Sequence, residues 1–201
     1  RPAASIVPPA ANRPVVLTDR SPVAPGLPSP PMPAPSAPEA SLASTPAVIA
    51  GPASLRTTED RATGFLGTWR ELGLDVGPEA LLRGDLHVES GRTAAEQLLA
   101  DGVADCVYVT NNRMSAGAFE ALRGRDRVPA LLATDDDLWT RLVTPSVSVV
   151  HQPVRATSRA AARMLGQRIA DPDEEPSTTL LRSKIIERES TRPRCCRQGE
   201  G

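Results

Sequence analysis

The residues with chemistry to offer are few, mostly carboxylic or amidic, and they fall at the ends of short apolar runs. Asp19 follows Val15-Val16-Leu17-Thr18, and Asp85 comes shortly after Ala80-Leu81-Leu82. Asn111 and Asn112 follow Cys106-Val107-Tyr108-Val109, and Asp135, Asp136 and Asp137 follow Ala130-Leu131-Leu132-Ala133. Carboxylates and carboxamides so placed suit hydrogen bonding to the hydroxyls of a small solute, and they call for no cofactor. Each alone has a plainer use as the cap of the next helix, whereas several at one rim favour a binding crevice. Catalysis is not expected. The acidic triple at 135–137 resembles a divalent-metal site held between phosphates, but the sequence has no Gly-rich phosphate loop and no G-x-S-x-G. Its two histidines, His87 and His151, stand beside no nucleophile. The three cysteines have neither C-x-x-C nor Cys/His ligand spacing, which excludes structural zinc and a disulfide framework.

The elements that must position these groups alternate between strand and helix. Ala47-Val48-Ile49-Ala50 is an apolar strand closed by Gly51-Pro52. Phe65, Leu66, Trp69 and Leu72 recur at helical spacing over 58–72, with Gly73 at the C-cap. Residues 80–82 form a short strand. Ser90 is expected to cap a helix running to Leu99, ended by Gly102. Strands at 106–109 and 130–133 flank a helix over 113–123, and Val147 to Val150 precedes a long helix with an apolar stripe of Val154, Ala161, Met164, Leu165 and Ile169. A last strand is expected over 179–186. Short continuous apolar strands alternating with helices define an α/β, three-layer αβα fold with a mostly parallel sheet. In such sheets ligands lie at the carboxyl ends of the strands.

Composition narrows the partners. Lys plus Arg is 23 and Asp plus Glu is 24, so the net charge of -1 excludes gripping nucleic acid or an anionic membrane by bulk electrostatics. Two Trp, one Tyr and two Phe are too few for a base-stacking platform. No apolar stretch approaches the ~20 residues of a membrane span, and residues 1–11 lack a signal-peptide pattern, so a soluble cytoplasmic chain is expected. Of the 21 prolines, nine lie in Pro22 to Pro46 together with five Ala and four Ser. That window reads as an extended linker, because proline removes backbone donors and the small residues bring little apolar area. All basic residues except Lys184 are arginine, as in GC-rich genes, where a shifted reading frame spells Pro, Ala, Arg and Ser. The window is therefore also readable as an out-of-frame stretch of a degraded, non-functional product.

In this order the elements resemble the effector-binding part of LacI-type (LacI/GalR) bacterial transcription regulators. Val48-Ile49-Ala50-Gly51-Pro52 with Arg61-Ala62-Thr63-Gly64-Phe65 is similar to the family's IAGP strand end and R-x-x-G-F helix. Gly84-Asp85 with Glu89-Ser90-Gly91 resembles its GD-x-x-x-ESG stretch, and Thr110 to Ala118 its A-N-D-x-M-A-x-G-A. Asp135-Asp136, Trp139, Leu142 to Pro145, Val149 to Pro153 and Arg188 to Thr191 resemble its closing block, and Pro14 to Arg20 its PVVLVDR. Asn112 replaces the family's usual Asp, and the stretch before Asp135 is shorter, so that strand is expected to be clipped. The resemblance implies a periplasmic-binding-protein-like body that closes on a small sugar-like effector and controls an operator-binding helix-turn-helix, absent from these residues, in a homodimer. It places Asp19, Arg61, Leu86, Asn111 and Asp135 at the effector. It also implies a remnant of the N-terminal lobe at 1–20, a linker at 21–46, and a C-terminal lobe at 47–150 and 176–193. Residues 151–175 become a helix returning to the N-terminal lobe, and 194–201 a disordered tail. A sugar transporter's solute-binding protein is the alternative, disfavoured by the Arg-Glu-Ser-Thr ending.

Overall fold

A computed structural model describes residues 45–192, other than 75, 103, 126, 127, 174 and 176, and the backbone of the strand at 15–18. Within it, six strands form one sheet in the order β3-β2-β4-β5-β6-β8. These are β2 (Pro46–Ala50), β3 (Leu81–Arg83), β4 (Cys106–Val109), β5 (Ala130–Thr134), β6 (Ser148–His151) and β8 (Lys184–Ile186). All pairs are parallel except β6 with β8. A separate parallel pair joins β1 (Val15–Thr18) to β7 (Thr178–Leu181). The αβα class expected from the strand texture is therefore observed. Every residue of β2 is buried, as a central parallel strand covered on both faces must be.

Side-chain alternation along β2 divides the core in two. Ile49 faces Val107, Val109, Leu98, Met114 and Phe119 beneath α2 (Val88–Asp101) and α3 (Asn112–Leu122). Val48 faces Tyr108, Phe65 and Leu66 beneath α1 (Arg56–Glu71). The apolar side is rich in aliphatics, and its rings meet in pairs, with Phe65 5.3 Å from Tyr108 and Phe119 5.6 Å from Trp139 between centroids. Thr58, Ala62, Phe65 and Leu66 form the buried stripe of α1, and Gly73 follows its end at φ 84, the left-handed position a glycine takes without a Cβ penalty. Two further helices are α4 (Trp139–Leu142) and α5 (Val154–Ala170).

Three local expectations are corrected. The strand expected over 179–186 is two: β7 turns to β1, and β8 to β6. Ser90 does not cap α2, which begins at Val88 after His87; its hydroxyl instead donates to the His87 carbonyl and accepts from the Asp85 amide, both at 3.0 Å. The strand before Asp135 is not clipped: β5 has five residues and pairs on both sides. The apolar stripe of α5 is divided, with Val154, Leu165 and Ile169 exposed and Met164, together with Ala160, buried. No helix among the described residues is long and apolar enough to cross a membrane.

Candidate functional site

The ladder brings the strand ends to one rim. Register pairs Ile49 with Val109 and Thr134 with Val150. Amide bonds extend the edge beyond the strands, from Thr110 to the Ile49 carbonyl, from Asp135 to the Val150 carbonyl and from Gly84 to the Ala50 carbonyl. Thr110, Asp135 and Gln152 thus stand in a row just past β4, β5 and β6. The strand order reverses between β2 and β4: β3 lies to one side of β2 and the later strands to the other. A crevice opens where chain direction splits in this way.

Arg61 reaches into that rim from α1. Its Nη1 donates to the Thr110 carbonyl at 2.5 Å and its Nη2 to Gln152 Oε1 at 3.0 Å. Gln152 in turn donates through Nε2 to Asp135 Oδ1. Arg61, Gln152 and Asp135 therefore form one hydrogen-bonded chain across three strand ends. Asp135 adopts φ 70, a left-handed conformation that Asp tolerates better than most residues and that sharpens the turn off β5. Gln152 is only 5% exposed, and a buried carboxamide satisfied at both ends is a fixed part of the wall.

The other expected site residues are placed as follows. Asn111 is adjacent to the Arg61 contact, but its Oδ1 accepts from the amides of Arg113 and Met114 at 3.0 and 3.1 Å and so caps α3. Leu86 lies over the end of β2, where a Cβ on Gly51 would stand 2.4 Å from Leu86 Cδ2, and it packs against the α2/α3 side of the core. Its φ of 73 is strained for leucine. Asp19 lies outside the described residues. Asp85 shapes its own loop, accepting from the His87 amide. The acidic triple is divided: Asp137 accepts from Asn112 at 3.3 Å, and Asp136 pairs with Arg188.

Gln152 is a polar residue directly after an apolar strand, the same placement as Asn111 and Asp135, and that placement is its signal in the sequence. Two polar atoms near the rim are buried without a hydrogen-bond partner among the described residues, Thr110 Oγ1 and Asp60 Oδ2. Burial holds the Asp60 carboxyl above its ordinary range; Arg56 pulls it down, and Glu59 adds to the rise. Cys106 supplies no nucleophile, because burial, assisted by the charge on Asp105, pushes its thiol up to about 12. No group of three or more His, Cys, Asp or Glu among the described residues is arranged to hold a metal ion.

Comparison with known proteins agrees with this architecture. A family described as a periplasmic binding protein-like domain matches residues 43–191. The HTH-type transcriptional repressor PurR of Escherichia coli is 31% identical over 148 residues, which cover 71% of this chain and 43% of that repressor. The chain thus spans less than half the length of this curated relative. Among solved structures, the transcriptional regulator CelR in complex with cellobiose is 29% identical with a TM-score of 0.68, covering 74% of this chain and 47% of the other. A regulatory protein of the LacI family from Chloroflexus aggregans is 26% identical with a TM-score of 0.67, covering 74% and 55%.

Proposed function

Because the chain belongs to the periplasmic binding protein-like domains of LacI-type transcription regulators, we propose that it is the ligand-sensing part of such a regulator and takes a small sugar-like effector at the carboxyl rim of its sheet. The observation that carries this reading is the Arg61–Gln152–Asp135 chain, which sets a donor-rich guanidinium and an acceptor-rich carboxylate at the two ends of one carboxamide on the carboxyl rim of the sheet. A ring bearing vicinal hydroxyls needs both. Asn111 and Leu86 flank the same rim, and Asp19 is proposed as a further contact to the effector. Binding would shift the regulator between states that differ in operator affinity, the operator being held by a separate helix-turn-helix in a cytoplasmic homodimer. The domain acts as a sensor and not as an enzyme.

A thermal-shift screen of the full chain against neutral sugars and sugar derivatives tests this. A ligand at ~100-fold its dissociation constant stabilises the bound fold by ~2.7 kcal/mol. Arg61→Ala should abolish that rise in Tm. A variant that keeps the full shift removes Arg61 from the site.

A further inference from the structure

We infer that the outer edge of β3 is a docking groove for an extended peptide segment of another protein, recognised through a basic side chain that enters between the edge and α2. A cavity of about 530 Å³ lies there, with Leu82 of β3 and Ala94 of α2 among its lining residues. Arg61, Gln152 and Asp135 do not line it, so it is separate from the effector rim.

The backbone supplies the first half of the docking chemistry. β3 ends the sheet on its side. The Gly84 amide bonds to the Ala50 carbonyl, and Arg83 stands opposite Ala50 in the parallel register. In such a ladder the amides and carbonyls of Leu82 and Gly84 face β2, and those of Leu81 and Arg83 face outward. The Leu81 amide is already used by the Pro78 carbonyl. The Leu81 carbonyl and the Arg83 amide remain on the open edge, with no strand beyond them among the described residues. One residue of an added strand satisfies both, donating to the first and accepting from the second, as extended peptides do when they join a sheet. That residue comes level with Leu82, whose side chain packs on the α2 side of the core, so its own side chain enters the cavity on the same face.

Open edges are commonly guarded by charge, but the Arg83 guanidinium is drawn away to Glu59 of α1 and to the Gly51 carbonyl. The opposite wall is a stripe of Glu89, Thr93 and Gln97, spaced i, i+4 and i+8 and therefore on one face of α2. Its charge is acidic. Arg83 pairs with Glu59 and Arg92 with Glu96, which leaves the carboxylates of Glu89 and Asp85 in the groove with the His87 ring, 3.4 Å from Asp85, as their neighbour. A Lys or Arg at the paired position meets opposite charge there, and an Asp or Glu meets repulsion. Thr93 and Gln97 add a hydroxyl and a carboxamide for polar contacts alongside. Three residues of strand span about 10 Å, so a segment of three to five residues covers the edge.

The test uses the full chain and two peptides, fluorescein-Thr-Val-Arg-Val-Thr-amide and the same peptide with Glu at its centre, followed by fluorescence anisotropy at neutral pH and low salt. The arginine peptide is expected to bind and the glutamate peptide is not. Glu89→Gln should weaken the arginine peptide about fivefold, the worth of a partly exposed ion pair. Arg83→Ala keeps the outward amide and should keep binding, whereas Arg83→Pro removes that amide from an edge position where proline is tolerated and should abolish it. Should the proline variant fail to melt cooperatively, Thr93→Trp fills the groove from α2 and should abolish binding in its place. Arg61→Ala should leave the peptide affinity unchanged. Equal binding of the two peptides, full binding by folded Arg83→Pro, loss of binding in Arg61→Ala, or no binding of the arginine peptide at millimolar concentration each overturns the proposal. Arginine amide that competes as tightly as the peptide overturns it in favour of a site for a small cation. A dimer in sedimentation that Arg83→Pro dissolves overturns it in favour of a second copy of this chain on the edge.

Discussion

At the scale of single residues, Arg188 shows how one guanidinium can tie three pieces of chain. It donates to Asp136 Oδ1 at 2.5 Å, to Thr140 Oγ1 at 2.9 Å and to the Val147 carbonyl at 2.8 Å. The side chains of Arg188 and Asp136 are 13% and 18% exposed, so removing one partner strands the other in a poorly solvated place. Arg188→Ala should cost ~3 kcal/mol, read from the urea midpoint. Burial alone would raise the Asp136 carboxyl, but the hydrogen bond and charge of Arg188, with Arg141 and His151 adding, outweigh it and hold it below its ordinary range. The sign follows: a carboxylate whose folded pKa is lowered stabilises the fold above the unfolded value of ~3.9 and loses that contribution as pH falls through the folded one. Denaturation midpoints should therefore drop on acidification below about pH 4, and Asp136→Asn should flatten that slope. The polar site was partly legible at this scale. Arg61 and Asp135 could be picked out by motif and strand-end placement, and they are linked through Gln152. That link could not, because Gln152 lies 91 residues from Arg61 and only the sheet register sets the two together.

Among elements, the closest approach is between α2 and α3, and two glycines permit it. A Cβ on Gly117 would lie 1.8 Å from the Val88 carbonyl oxygen, and one on Gly91 2.2 Å from the Met114 carbonyl oxygen. Backbone does not yield as a side-chain tip does, so Gly117→Ala should force the helices apart and cost ~2 kcal/mol by thermal or urea unfolding. Gly64→Ala on α1 should act oppositely, since a methyl there meets nothing within 4 Å and helix propensity favours it by ~1 kcal/mol. Most elements were readable from apolar runs and their punctuation, because each strand is a continuous apolar stretch and each helix has one buried stripe. The division of β7 from β8 was not readable. It depends on two partners far away in sequence, β1 in parallel and β6 in antiparallel, and no local pattern over 179–186 encodes that choice. The Ser90 cap failed for a different reason: a hydroxyl near a helix start serves equally well to brace the loop before it.

At the scale of the whole molecule, α5 leaves large apolar residues outside the core, with Leu165 58% and Ile169 73% exposed. It lies against β1 and β7, the two strands that do not belong to the main sheet. Clustered exposed aliphatics favour association. Leu165→Glu combined with Ile169→Lys should leave Tm unchanged within the ~0.5 kcal/mol typical of surface changes while lowering the sedimentation coefficient of any self-associated species. A large loss of stability would mean instead that the stripe is covered in the folded chain. One further consequence follows from the C-terminal end of the main sheet. β8 supplies the outer neighbour of β6, the Ser190 hydroxyl donates to the Leu131 carbonyl at 2.6 Å and accepts from the Ser148 amide of β6 at 2.8 Å, and Arg188 reaches back to Val147. Translation delivers these residues after every strand they close. While the ribosome is still adding them, β6 stands as an open edge, and the nascent chain passes through a window in which a neighbouring polypeptide, or a chaperone, competes for the same backbone groups.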